Sequence, residues 1–169
     1  MNAADRYKFT EFGNEISFMP NYNFLKTLVW WLGLGIIALP VIIYFMDKMS
    51  ADQFRTALII WGIYMIYFLF DLFFRIPVKY IFNKSEKRIY RKLLFTKKIM
   101  SFDEMTYFIN VNNGGYFYAI GKKRNQFVKS YRISNYFSNS KISEKREDEY
   151  IRDILCPVLE AVGTSFVQR

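Results

Sequence analysis

From Thr27 to Met46 the chain runs for twenty residues, TLVWWLGLGIIALPVIIYFM, without one charged side chain. A helix of that length, at about 1.5 Å per residue, spans a hydrocarbon core of about 30 Å. A second uncharged run, Thr56 to Phe70, reaches spanning length through Asp71 to Phe74. A core helix of a soluble protein is the alternative for each run. Only Asp47–Arg55 separates them, so a transmembrane helical hairpin is the simplest structure for residues 24–76, with spans at 27–46 and 56–74. The first run is longer than the apolar core of a signal peptide, about 7–15 residues, and no small-x-small cleavage site follows it, so the helix is expected to be retained. Pro40 predicts a kink, because it removes one backbone hydrogen bond. Gly33 and Gly35 are two apart and share no helix face, so no GxxxG seam is expected.

Charge divides the chain at the end of the second run. Residues 1–74 carry five Lys/Arg and six Asp/Glu, a net of −1; residues 75–169 carry nineteen and nine, a net of +10. The loop between the runs holds Lys48 and Arg55, offset by Asp47 and Asp52, whereas Arg75, Lys79, Lys84, Lys87, Arg88, Arg91 and Lys92 follow the second run. The positive-inside rule then places both termini in the cytoplasm and the short loop outside. Trp30, Trp31 and Tyr44 lie near helix ends, where amphipathic rings favour the headgroup layer.

Asp71 is the ionisable residue within a span. One reading is an intramembrane carboxylate on an ion path. The other is structural: Arg75 lies at i+4, where the two pair on one helix face. Tyr64 and Tyr67 share that face, and an indole N–H from Trp30 or Trp31 is a further candidate partner for the carboxylate.

After Pro77 the periodicity changes from helical to alternating. VKYIFN and RIYRKLLF read as strands of a hairpin joined by a polar turn, followed by KKIMSF, MTYFINV, the turn Asn112–Gly115, YFYAIGKK and FVKSYRIS. Residues 143–164 then read as a helix capped by Ser143, with Tyr150, Ile151, Ile154, Leu155, Val158, Leu159 and Val162 forming an apolar stripe. Pro157 is expected to kink or split this helix, and Gly163 to stop it. The expected fold class is α+β, with about six antiparallel strands and one helix after the hairpin. Residues 1–23 are rich in aromatic residues, so they either pack on that domain, as an added strand, or lie along the membrane surface.

The run Ile81-Phe82-Asn83-Lys84-x-x-Lys87-Arg88-Ile89-Tyr90-Arg91, followed by Ile99-Met100-Ser101-Phe102-Asp103-Glu104-Met105, is similar to the bacterial PH-like membrane proteins. In those a basic strand pair leads into an I-P-W-D-E-I type element. The resemblance covers about residues 20–165 and implies that residues 77–169 form a cytosolic PH-like antiparallel β-roll closed by a C-terminal helix. In architecture the chain also resembles the immunity proteins of contact-delivered (type VI secretion or Rhs) bacterial toxins, which implies a protein toxin as partner; the alternatives are an envelope protein that senses anionic lipid and a small subunit of a larger membrane complex.

Histidine is absent and Cys156 is the single cysteine, which excludes His-based triads, His metal sites, intrachain disulfides and thiolate metal clusters. No phosphate-binding glycine loop or nucleophile motif occurs. Asp103-Glu104 reads as a polar turn and Cys156 as a small buried residue. No enzyme and no cofactor are therefore expected. The positive signal is basic: Lys84, Lys87, Arg88, Arg91, Lys92, Lys97 and Lys98, then Lys122, Lys123 and Arg124. Anionic phospholipid of the inner leaflet is the first candidate partner of this patch, and an acidic protein surface the second. Nucleic acid is not expected, since no nucleic-acid-reading module appears.

Overall fold

The computed structural model describes residues 2–112, 114–122 and 129–164. They form two compact units, one of residues 24–77 and one that joins residues 1–23 to residues 78–169.

The first unit is a helical hairpin. Helix α2 (Leu25–Tyr44) leads through a short 3₁₀ turn to α3 (Ala51–Phe70), which continues as a π-helical turn over Asp71–Arg75. Both helices are long and apolar enough to cross a membrane. Helix α3 starts five residues before the uncharged run, because Ser50 and Gln53 form a reciprocal capping box that satisfies two terminal N–H groups. Asp52 and Arg55 thus sit inside the helix, and absence of charge is a poor guide to where it begins.

The helices meet at one glycine. Trp61 Nε1 donates to the Gly35 carbonyl at 2.8 Å, and Tyr64 Oη donates to the Trp31 carbonyl at 2.6 Å. A Cβ on Gly35 would lie 2.6 Å from Met65 Sδ and 2.7 Å from the Tyr64 ring, so only glycine lets the backbones come this close. Close approach therefore needs no GxxxG pair here. Trp61, rather than Trp30 or Trp31, supplies the interhelical indole bond, and it goes to a backbone carbonyl. Asp71 takes Arg75 across the π turn, at 3.1 Å. Leu28, Leu32 and Ile76 are buried, whereas Ile36, Ile37, Ile60, Ile63 and Ile66 face outward.

The second unit is built on two antiparallel sheets. Its first strands come from the N-terminal segment: helix α1 (Ala3–Arg6), then β1 (Thr10–Phe12) and β2 (Glu15–Phe18). After the helical hairpin follow β3 (Lys79–Asn83), β4 (Arg88–Lys92) and β5 (Thr96–Ser101), and the five strands lie in the order β1-β2-β3-β4-β5. The second sheet is β6 (Met105–Asn112), β7 (Gly115–Lys122) and β8 (Tyr131–Arg132). Strand β2 pairs with β3 in the register Ile16↔Phe82 and Phe18↔Tyr80, so the whole helical hairpin is an insertion between two hydrogen-bonded neighbours. Of the two alternatives open for residues 1–23, the added strand is the one seen.

Alternation puts Ile16, Phe18, Tyr80, Phe82, Ile89 and Met100 on one face, and the C-terminal helix covers it. That helix comprises α4 (Lys141–Tyr150), a π turn at Ile151–Leu155, and α5 (Cys156–Val162). Ser140 rather than Ser143 is its N-cap, because the Ser140 hydroxyl accepts from the Ser143 N–H. Pro157 does not break the helix. The wider turn before it sends the Cys156 N–H back five residues to the Ile151 carbonyl, and the chain continues helical to Gly163, whose φ of +78° ends it. Tyr150, Ile154, Leu155, Val158 and Leu159 are buried as the stripe requires; Cys156 is only half-buried.

Helix α1 is tied to this cover. Arg6 pairs with Glu149, the Tyr7 and Tyr150 rings lie 5.0 Å apart, and the Asn135 N–H donates to Tyr7 Oη at 3.0 Å. Burial pushes the Tyr7 and Tyr80 phenols up to about 12, from an ordinary value of 10.0. A raised phenol favours the fold while it is neutral, so that contribution is complete below pH 10 and is lost as the pH rises through about 12. Thermal unfolding in detergent is expected to be independent of this term up to pH 10 and to fall steeply above it. The Tyr7→Phe and Tyr80→Phe variants are expected to shrink that alkaline fall, as read from the unfolding midpoint between pH 9 and 12.

Candidate functional site

Sheet register sorts the basic residues that the sequence groups together. Asn83 faces Arg88 and Lys79 faces Lys92 across β3 and β4, so the two ends of these strands, about 13 Å apart, carry different lysines and arginines. At the far end, around the β3–β4 turn, lie Lys84, Lys87 and Arg88. Lys122 joins this end, because β5 leads through the Phe102–Glu104 turn into β6, and Met105 pairs with Lys122. At the near end, where β3 begins, lie Lys79, Arg91, Lys92, Lys97 and Lys98. Lys123 and Arg124 fall outside the described residues.

The two groups differ in their partners. Lys84 pairs with Glu11 at 2.7 Å, Arg88 lies 3.9 Å from Glu86, and Lys122 lies 3.3 Å from Glu104. The Ser101 N–H and then Lys122 hold the Glu104 carboxyl below its usual range, which fits Asp103-Glu104 as a turn fixed by local bonds. Among the described residues, no carboxylate pairs with Lys79, Lys92, Lys97 or Lys98. Three of the four described far-end cations thus have a carboxylate neighbour within the fold, Lys87 being the exception, and the near end presents open positive charge.

The faces differ as well. A bulge at the β4–β5 pairing moves Ile89 opposite Met100 and Tyr90 opposite Lys98. Lys79, Lys92 and Lys98 therefore stand on the face away from the core. Arg91 lies opposite Tyr80 on the core side, with its Nε buried and without a hydrogen-bond partner among the described residues, and Lys97 shares that side. Lys79 and Lys92 sit directly opposite one another, a like-charge arrangement that costs stability.

Two features of this end escape a reading of charge alone. Lys79 is part of it although it lies outside the basic run. Leu93, Leu94 and Phe95, which read as the end of a strand, instead form the tip between β4 and β5, with Leu94 70% and Phe95 86% exposed. The signal in the sequence is the apolar triplet bracketed by Lys92 and Lys97-Lys98.

Chemically the end can hold anions at its lysines and apolar matter at its tip. Among the described residues, no cluster of metal-ligating side chains occurs. Asp71 and Arg75, in the helical hairpin, form a local ion pair. An open apolar groove of about 450 Å³ runs along the helical hairpin between Leu34, Ala38, Ala57 and Trp61. No family model, curated protein or solved structure matches this chain.

Reversing one charge separates the two ends. Lys92→Glu gives Lys79 an opposite charge and is expected to raise stability by about 0.2–1 kcal/mol in neutral detergent at low salt, a gain that high salt removes. Lys84→Glu sets two carboxylates against each other at Glu11 and is expected to lower it. Thermal midpoints at two ionic strengths check both.

Proposed function

We propose that this chain is a bacterial inner-membrane protein that acts by binding, with two membrane spans, both termini in the cytoplasm and a PH-like domain held at the inner leaflet. The observation that carries the reading is the insertion of two outward-apolar helices between strands β2 and β3, which are paired to each other. A chain that leaves a sheet and returns to the neighbouring strand has both crossing ends on one side of a bilayer. Apolar side chains around the full circumference of α3, none of them buried, suit a lipid surrounding. Two antiparallel sheets closed by a C-terminal helix suit a PH-like roll.

The resemblance in architecture to immunity proteins makes the partner a contact-delivered toxin, which this protein neutralises at the inner membrane. A second reading, recognition of anionic phospholipid, is favoured by the near-end lysines, which have no carboxylate partner among the described residues. Each Lys or Arg held close to an anionic leaflet contributes about 1 kcal/mol of attraction. Neither reading calls for a catalytic group, a cofactor or nucleic acid.

Topology is checked with cysteine probes in a Cys156→Ala background. In intact spheroplasts an impermeant maleimide is expected to label Met49→Cys and to spare Lys145→Cys until the membrane is opened. Labelling of Lys145→Cys in sealed cells would refute the arrangement. For the partner, affinity capture in mild detergent is expected to yield one stoichiometric protein that arrests growth when expressed alone and is relieved by this chain. A captured protein without such toxicity, beside salt-sensitive retention on anionic vesicles, decides for the lipid reading.

A further inference from the structure

The near end of the sheet is also the end at which the chain comes back from its second apolar helix. Three residues separate Arg75, the last of the helical turn, from Lys79, the first of β3. Lys79 faces Lys92, and Lys92 faces Thr96, so the Leu93–Phe95 tip projects beyond the strands at that same end, and Lys92 at its base is one strand spacing (about 5 Å) from Lys79. Within the tip, Leu93 packs on the core and its N–H donates to the Phe95 carbonyl at 3.3 Å. Leu94 and Phe95 are left pointing out, two large apolar side chains that no described residue covers. Lys92, Lys97 and Lys98 stand directly behind, without carboxylate partners among the described residues.

We propose that the β4–β5 tip is a second membrane contact, with Leu94 and Phe95 entering the acyl boundary of an anionic leaflet and Lys79, Lys92, Lys97 and Lys98 seated on its phosphates. The inference rests on the two-span reading above. Its chemistry is that of an interfacial anchor: apolar side chains gain by leaving water, and flanking cations gain from the negative surface without crossing the headgroup layer. The occupant follows from position and charge. A bilayer is the surface the chain itself enters three residues away, and an anionic one complements four lysines that have no carboxylate partner among the described residues. The contact also gives a reason for keeping Lys79 opposite Lys92, since phosphates between them remove the repulsion. It fixes the domain at two points, the helical hairpin and the tip, and so limits how the sheet can turn over the leaflet.

The test uses the full-length protein, in the Cys156→Ala background, in nanodiscs containing phosphatidylglycerol. An environment-sensitive dye is placed at Phe95→Cys, at Phe12→Cys on the far end, where the side chain is 88% exposed, or at Ile63→Cys in α3. Lipids brominated on their chains are expected to quench the dye at 63 and at 95 but not at 12. Replacing phosphatidylglycerol by phosphatidylcholine, or Lys92, Lys97 and Lys98 by Glu together, is expected to reduce the quenching at 95 and leave that at 63 unchanged. Quenching at 63 with none at 95 overturns the tip contact alone. No quenching at 63 overturns the two-span reading on which it rests. Quenching at 95 that ignores both lipid charge and the triple substitution overturns the role given to the lysines.

Discussion

The backbone pairing of β2 with β3 is the contact on which the rest of this molecule depends. It joins strands separated by the 60 residues between Phe18 and Lys79. Closing a flexible loop of that length costs roughly 4 kcal/mol by the logarithmic rule, before its constant. The contact is offset in two ways. Ile16 and Phe18 are fully buried, each contributing about 1.5–3 kcal/mol. The intervening chain is also not flexible: a helical hairpin, locked at Gly35 by bonds from Trp61 and Tyr64, keeps its own ends together. Folding of the two units is therefore linked through the chain, since a formed hairpin lowers the cost of completing the sheet.

The same contact gives the domain much of its core. Without β1 and β2 the first sheet would lose the strand that covers the β3 edge, and with it Phe18, whose ring stacks on Phe82 and leans against Tyr80. Helix α1 and Tyr7 would leave the C-terminal helix uncovered along the face that carries Tyr150. Two stretches at opposite ends of the chain thus close one core, and the apolar hairpin is an excursion from the middle of it.

What can be read from the sequence follows the range of the interaction. The Asp71–Arg75 pair is legible because i,i+4 neighbours on a helix must meet. The C-terminal stripe and the Gly163 stop are legible for the same local reason. The place of residues 10–18 stays open, because their partner lies 60 residues on and an aromatic-rich segment suits a sheet edge or a membrane surface equally. Leu93-Leu94-Phe95 reads as a strand because apolarity does not say whether a backbone is paired. The basic run reads as one patch because sequence distance hides that Arg88 and Lys92 occupy opposite ends of a strand and that Glu11, far away in sequence, neutralises Lys84. Sheet register turns a count of charges into two surfaces, and among the described residues the near one carries more cations without a carboxylate partner.

The central claim is that residues before and after the apolar hairpin form one sheet. Amide hydrogen exchange of the full-length protein in nanodiscs, followed by mass spectrometry, tests it most directly. Peptides covering residues 10–18 and 79–92 are expected to exchange slowly and to lose protection together as denaturant is added. Rapid exchange of residues 10–18 while 79–92 remain protected would contradict it.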